Sequence, residues 1–142
     1  MKLLVAVDGS PASLRAVGLA IRFAKERQSA SITLLNVQNQ TMFNLADGAG
    51  LMAAAWVEEE EDRLGEDALR GAVAACEGAG AHFTIRSERG APAETIDRIA
   101  REENIDHIIM GTRGLGSIRG LLVGSIATQV LHLVQVPVTL VK

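Results

Sequence analysis

The chain has no tyrosine, three phenylalanines and one tryptophan, so aromatic residues are only 3% of its 142 residues. Its core must therefore close with aliphatic side chains. Cysteine occurs once, at Cys76, which excludes an internal disulfide and suits a reducing compartment. Basic residues are not in surplus: the formal net charge is −3 and the sequence pI about 5.6. That argues against nucleic acid as a partner, because its binding needs a concentrated basic surface. No stretch approaches the roughly 18 uninterrupted apolar residues of a membrane span. The apolar start of MKLLVAVDGS is broken by Asp8 too early for a secretory signal. The expectation is a soluble cytoplasmic protein with no membrane partner. Proline is scarce, at three residues.

What remains is ordinary globular material with abundant glycine. Hydrophobic residues are 48% and charged residues 22%, and there are 14 glycines. The length fits one domain spanning residues 1–142. Four short runs are rich in aliphatic and β-branched residues: Leu3–Val7, Ser31–Val37, His107–Met110 and Val136–Val141. A fifth, His82–Glu88, alternates more visibly. Continuous apolar runs are what a sheet buried on both faces requires.

Helical patterns separate the runs. Ser10 is a good N-cap with Pro11 at the first helical position, and Leu14, Val17 and Ile21 form a stripe behind them. A second helix is expected from about Ala53 to Glu77, with Val57, Leu64, Ala68 and Val73 inward and Gly78 and Gly80 as its stop. A third begins at Pro92, and a fourth runs from Ser125 to about Val134. Gln38–Ala55 reads as an irregular loop. Alternation of this kind predicts an α/β fold: a doubly wound five-stranded parallel sheet in the order 3-2-1-4-5, with helices on both faces.

In such a sheet, ligands bind beyond the carboxyl ends of the strands where the strand order reverses, here between strands one and four. Strand one ends in Val7-Asp8-Gly9-Ser10, and strand four in Met110-Gly111-Thr112-Arg113-Gly114. The second segment continues as GTRGLGSIRGLLVGS, in which Gly111, Gly114, Gly116 and Gly120 fall within ten residues. Glycine lets main-chain N–H groups approach an anion. Gly124-Ser125 then opens a helix, whose N-terminus offers unpaired N–H groups and the positive end of the helix dipole. Ser125 could cap that helix and also donate to a phosphate, and Arg113 and Arg119 add cationic side chains. The segment lacks the Gly-x-x-x-x-Gly-Lys-Ser/Thr pattern and follows the fourth strand, so it is neither a Walker loop nor a dinucleotide fingerprint. Read without a ligand, the same glycines would simply make a loose surface loop. Asp8 has two readings, a cap for the first helix or a border of the site. His82, His107 and His132 are scattered with no partner at metal spacing, and Cys76 reads as a packed thiol.

The pattern Gly111-x-x-Gly114, nine residues, then Gly124-Ser125 resembles the G-x2-G-x9-G-S/T signature of ATP-binding universal stress proteins. Val5-Ala6-Val7-Asp8, Leu34-Leu35-Asn36-Val37, Asp106–Met110 and Val136-Pro137-Val138 are similar to that family's first, second, fourth and closing strands, so the resemblance covers essentially the whole chain. It implies ATP as ligand, with or without Mg²⁺. Gly111, Thr112, Arg113, Gly114, Gly116 and Ser117 would wrap ribose and phosphates, while Gly124, Ser125, Ile126 and Ala127 would hold the phosphates from the helix end. Ala6, Val7 and Asp8 would border the nucleoside, and Val37 would meet the adenine through its backbone. It further implies a stress-response or regulatory protein acting as a nucleotide-dependent homodimer through strand Val136–Val141, on a client protein whose identity stays open. Two alternatives stand beside it: a slow ATP hydrolase, and an interaction module with a vestigial pocket.

Overall fold

In a computed structural model of the chain, strands and helices alternate as β1 (Lys2–Ala6), α1 (Pro11–Glu26), β2 (Ser31–Gln38), α2 (Gly50–Ala79), β3 (Phe83–Arg89), α3 (Pro92–Glu102), β4 (His107–Gly111), α4 (Ser125–Leu133) and β5 (Val138–Val141). The structure describes residues 1–27, 29–39, 50–114 and 123–142. The sheet has five strands, all its pairings are parallel, and its order is β3-β2-β1-β4-β5, as the alternation of elements predicts. Leu3 pairs with Ile32 on one side and His107 on the other, so β1 is the central strand.

Successive side chains of a strand point to opposite faces, and here both faces are covered. Leu3, Val5, Ile32 and Leu34 pack with Val17 and Ile21 of α1 and with Leu69 and Cys76 of α2. Leu4, Leu35, Ile108 and Met110 pack on the other face with Ile96 and Ile99 of α3 and Val130 of α4. This is why the strands read as unbroken apolar runs. Each such aliphatic side chain contributes about 1.5–3 kcal/mol on burial, and the core is aliphatic as expected.

Local signals account for the helix ends. Ser13 N–H donates to Ser10 Oγ at 3.2 Å, which makes Ser10 the N-cap of α1 ahead of Pro11. Val17 and Ile21 are buried, whereas Leu14 is 38% exposed and lies against α2 near Gly71. Helix α2 differs from expectation at both ends. It begins at Gly50, so residues 50–55 are helical; residues 40–49 lie outside the described residues. It continues through Gly78 and stops at Gly80, whose φ of +64° suits glycine. Gly80 N–H donates to Glu77 O and Ala81 N–H to Cys76 O, both at 3.0 Å, a Schellman closure.

The most buried face of α2 is Gly65, Leu69, Ala72 and Cys76; Ala68 and Val73 are half-buried, Val73 packing against the core as expected, whereas Leu64 is 54% exposed and Val57 falls outside the described side chains. At Gly65 a Cβ would overlap Gln38 Nε2 and stand 3.0 Å from Asn36 Oδ1, so the side-chain ends of these two β2 residues occupy the space beside the glycine.

The two sheet edges differ. Strand β5 starts at Val138 instead of Val136, because Pro137 has no N–H to give the ladder; its carbonyl still accepts from Ile108 N–H at 3.0 Å. Val141 O accepts from Thr112 N–H at 2.8 Å, so the odd residues of β5 bond inward and the main chain of Val138 and Leu140 faces outward. Strand β3, at the other edge, is charged: Arg86 pairs with Glu88 at 2.7 Å and Glu103 at 3.0 Å, and Arg98 reaches Glu88 at 2.9 Å. The hydrogen bonds from Arg86, and then Arg98, hold the Glu88 carboxyl below the usual carboxylate range. Among the described residues, no helix is long and apolar enough to cross a membrane.

Candidate functional site

Strand order reverses at the carboxyl ends of β1 and β4, and there the structure has a cavity of about 380 Å³, a size in the usual range for small-molecule sites. It brings together Ala6, Val7 and Asp8 after β1, Val37 from β2, Gly111, Thr112, Arg113 and Gly114 after β4, and Gly124, Ser125, Ile126 and Ala127 at the start of α4. Gly116, Ser117 and Arg119 lie outside the described residues. The remaining lining is Leu35, Pro92, Ile96 and Met110, which make an apolar floor with Ala127. The sequence carries no separate signal for these four, because a floor residue in a buried run looks like any other core residue.

Several glycines are explained by protein neighbours. A Cβ on Gly111 would come within 2.9 Å of Ala12 Cβ and 3.2 Å of Ser13 N, so this residue lets the end of β4 pass the start of α1. A Cβ on Gly114 would overlap Asp8 Oδ2, and one on Gly124 would stand 3.3 Å from Thr112 O. Asp8 does not cap α1, a role taken by Ser10; its Oδ1 accepts from Ser10 N–H at 2.9 Å just ahead of the helix, and the residue lines the cavity.

At the far end of the cavity, Gly124 is the N-cap of α4 and Ser125 is its first helical residue, so the expected Ser125 cap is replaced by a glycine without a capping side chain. The first intrahelical bond is Thr128 N–H to Gly124 O at 3.0 Å. The N–H groups of Ser125, Ile126 and Ala127 therefore have no partner within the helix, and all three residues line the cavity. Gly124 N–H donates to Thr112 O at 2.7 Å and ties the helix start to the β4 segment. Arg113 is the one cationic residue among the described lining residues.

The main chain of Val37 is placed by strand register. Odd residues of β2 bond toward β1, as in Ser31 N–H to Met1 O at 3.0 Å and Val7 N–H to Leu35 O at 2.8 Å. Even residues bond toward β3, as in Ile32 N–H to His82 O at 3.0 Å and Gly90 N–H to Gln38 O at 2.9 Å. Val37 is the next odd residue, and β1 has already ended beside it. Its N–H and C=O thus face the gap above the apolar floor.

Other reactive side chains stand apart. Among the described residues, no group of three His, Cys, Asp or Glu converges as a metal site. His107 sits in β4 with Nε2 2.8 Å from Thr139 Oγ1 and its ring beside Phe23, and burial pushes its imidazole below the usual value. Cys76 is fully buried, and burial pushes its thiol up.

The profile described as "Universal stress protein family" matches residues 1–142. The universal stress protein YxiE of Bacillus subtilis is 29% identical over 147 aligned positions, covering 99% of this chain and 98% of that protein. The solved universal stress protein UspA from Lactobacillus plantarum superposes with a TM-score of 0.88 at 25% identity, covering 100% of this chain and 97% of that one. A universal stress protein solved in complex with cAMP superposes with a TM-score of 0.72 at 27% identity, with coverage of 100% and 97%. With fold, strand order and a full-length match in agreement, the chain belongs to the universal stress protein family.

Proposed function

We propose that the cavity binds an adenine nucleotide, with ATP as the ligand, and that the protein acts as a nucleotide-dependent regulatory dimer toward a client protein in the cytoplasm. The observation that carries this reading is the polarity of the cavity. At one end an N–H and a C=O of the same residue, Val37, face the space above an aliphatic floor. Adenine offers the complement, an acceptor at N1 beside a donor at N6. At the other end stand the N–H groups of Ser125, Ile126 and Ala127 and the positive end of the α4 dipole, which suit phosphate oxygens. That a universal stress protein of this fold was solved in complex with cAMP supports an adenine nucleotide as ligand. Mg²⁺ arriving with ATP would find one carboxylate in the described lining, Asp8, with phosphate oxygens and water completing its shell. The outward main chain of Val138 and Leu140 supports pairing of two copies along β5.

The test is to denature the purified protein and identify released small molecules by mass spectrometry, then to titrate the emptied protein with ATP, AMP and cAMP. The expected result is a carried-over adenine nucleotide and saturable binding, with phosphate release from Mg²⁺-ATP far below the ~10 s⁻¹ common among enzymes. No carried-over nucleotide and no binding of any of the three would overturn the reading. Fast turnover abolished by Asp8→Ala would convert it to a hydrolase.

A further inference from the structure

We infer that Asn36 is a positioning residue: its side chain ends the β1–β2 ladder one bond early and so leaves the Val37 N–H available to a ligand. In a regular parallel ladder a residue bonds through both its N–H and its C=O to the same neighbouring strand. Val7 N–H already donates to Leu35 O at 2.8 Å. The next bond of that pattern would run from Val37 N–H to Val7 O. Instead Asn36 Nδ2 donates to Val7 O at 2.7 Å, and the pairing of β1 with β2 stops at Ala6 and Leu35. The amide of Asn36 thus stands in for the amide of the following residue.

The cost of this arrangement argues that it serves the site. Asn36 is only 6% exposed, and its Oδ1 is buried with no hydrogen-bond partner. The side-chain N and O of Gln38, two residues along on the same face, are also buried without partners. Unpaired buried polar groups destabilise a fold. An apolar side chain at position 36 would remove the orphan oxygen and let Val37 close the ladder. For stability alone asparagine is a poor choice. Its donor does one thing an apolar residue cannot: it satisfies Val7 O while Val37 stays open. Such exchanges of stability for function are common at binding sites.

The consequence for recognition rests on the adenine reading above. An available Val37 N–H donates to adenine N1, whereas hypoxanthine presents N1–H at that place and is rejected. The experiment has two arms. Amide hydrogen exchange, resolved at Val37 by NMR, is measured on the full chain emptied of nucleotide and on Asn36→Leu. AMP and IMP are then titrated into both proteins. Rapid Val37 exchange is expected in the empty wild type, with protection on adding AMP. In Asn36→Leu the expectation is protection without ligand, unchanged or raised thermal stability, about tenfold weaker AMP binding and a similar loss of the AMP-over-IMP preference.

Slow Val37 exchange in the empty wild type would overturn the proposal, as would an Asn36→Leu protein that keeps both AMP affinity and preference. If the leucine variant does not fold, Asn36→Ala and the wild-type exchange measurement decide. If the wild type binds neither nucleotide, the adenine reading fails, yet the exchange arm still decides the role of Asn36.

Discussion

Changing Gly114 to alanine adds one methyl group at a place where it would overlap Asp8 Oδ2. The backbone is no obstacle, since Gly114 is not among the residues with positive φ. The burden falls on Asp8, which must swing away and give up the hydrogen bond from Ser10 N–H. Losing one such bond near a helix start costs about 1 kcal/mol. In a domain of this size that lowers the melting temperature by about 3–5 °C. The displaced carboxylate would move at the cavity wall, so ATP binding should weaken about tenfold or more. Gly114→Val, which adds two further methyl groups, should abolish binding while the fold survives, because Gly114 is exposed.

A double-mutant cycle isolates the cause. With Asp8→Ala in place, Gly114→Ala meets no carboxylate, and its stability cost should fall to nearly nothing. Thermal unfolding of wild type, both single variants and the double variant reads this directly. Equal cost of Gly114→Ala in both backgrounds would refute the reasoning and move the role of this glycine to the ligand alone.

Two further predictions address other parts of the molecule. Val138→Pro removes an outward N–H while sparing the bonds of β5 to β4, so it should dissociate the proposed dimer without unfolding the chain. Sedimentation at matched micromolar concentration checks this, and a wild-type monomer or an equally tight mutant dimer would exclude the β5 interface. His107, held neutral by burial, takes up its proton more readily in the unfolded chain. Its contribution is fully present above the ordinary histidine value of 6.5 and is lost as pH falls from there toward its lowered folded value. The wild-type melting temperature should therefore fall with acidification in that window, and His107→Gln should flatten the slope.

The strand runs, their order and the switch point could be read from the sequence because a doubly covered parallel sheet writes its core as unbroken aliphatic runs, such as Leu3-Leu4-Val5. The glycine segment stood out for the same local reason, and its described residues do line one cavity with Asp8 and Val37. Other features depend on contacts between distant segments. Gly65 is buried and its neighbour Leu64 exposed, the reverse of what hydrophobicity predicts, because glycine carries no hydrophobic signal. The reason for Gly111 lies a hundred residues away, at Ala12. The role of Asn36 exists only once β1 lies beside β2, and the floor of Leu35, Pro92, Ile96 and Met110 is indistinguishable in composition from the rest of the core.

The unequal edges of the sheet set an upper limit on growth. A building block with an adhesive strip on each side propagates into a filament, whereas one with a single strip is finished once the strip is used. The cross-linked charges around Arg86 and Glu88 leave β3 as the poor side, and only β5 presents an uncharged run from Val138 to Val141. The proposed pairing through β5 would therefore terminate with the second copy, and raising the concentration of the chain would add more pairs without lengthening them.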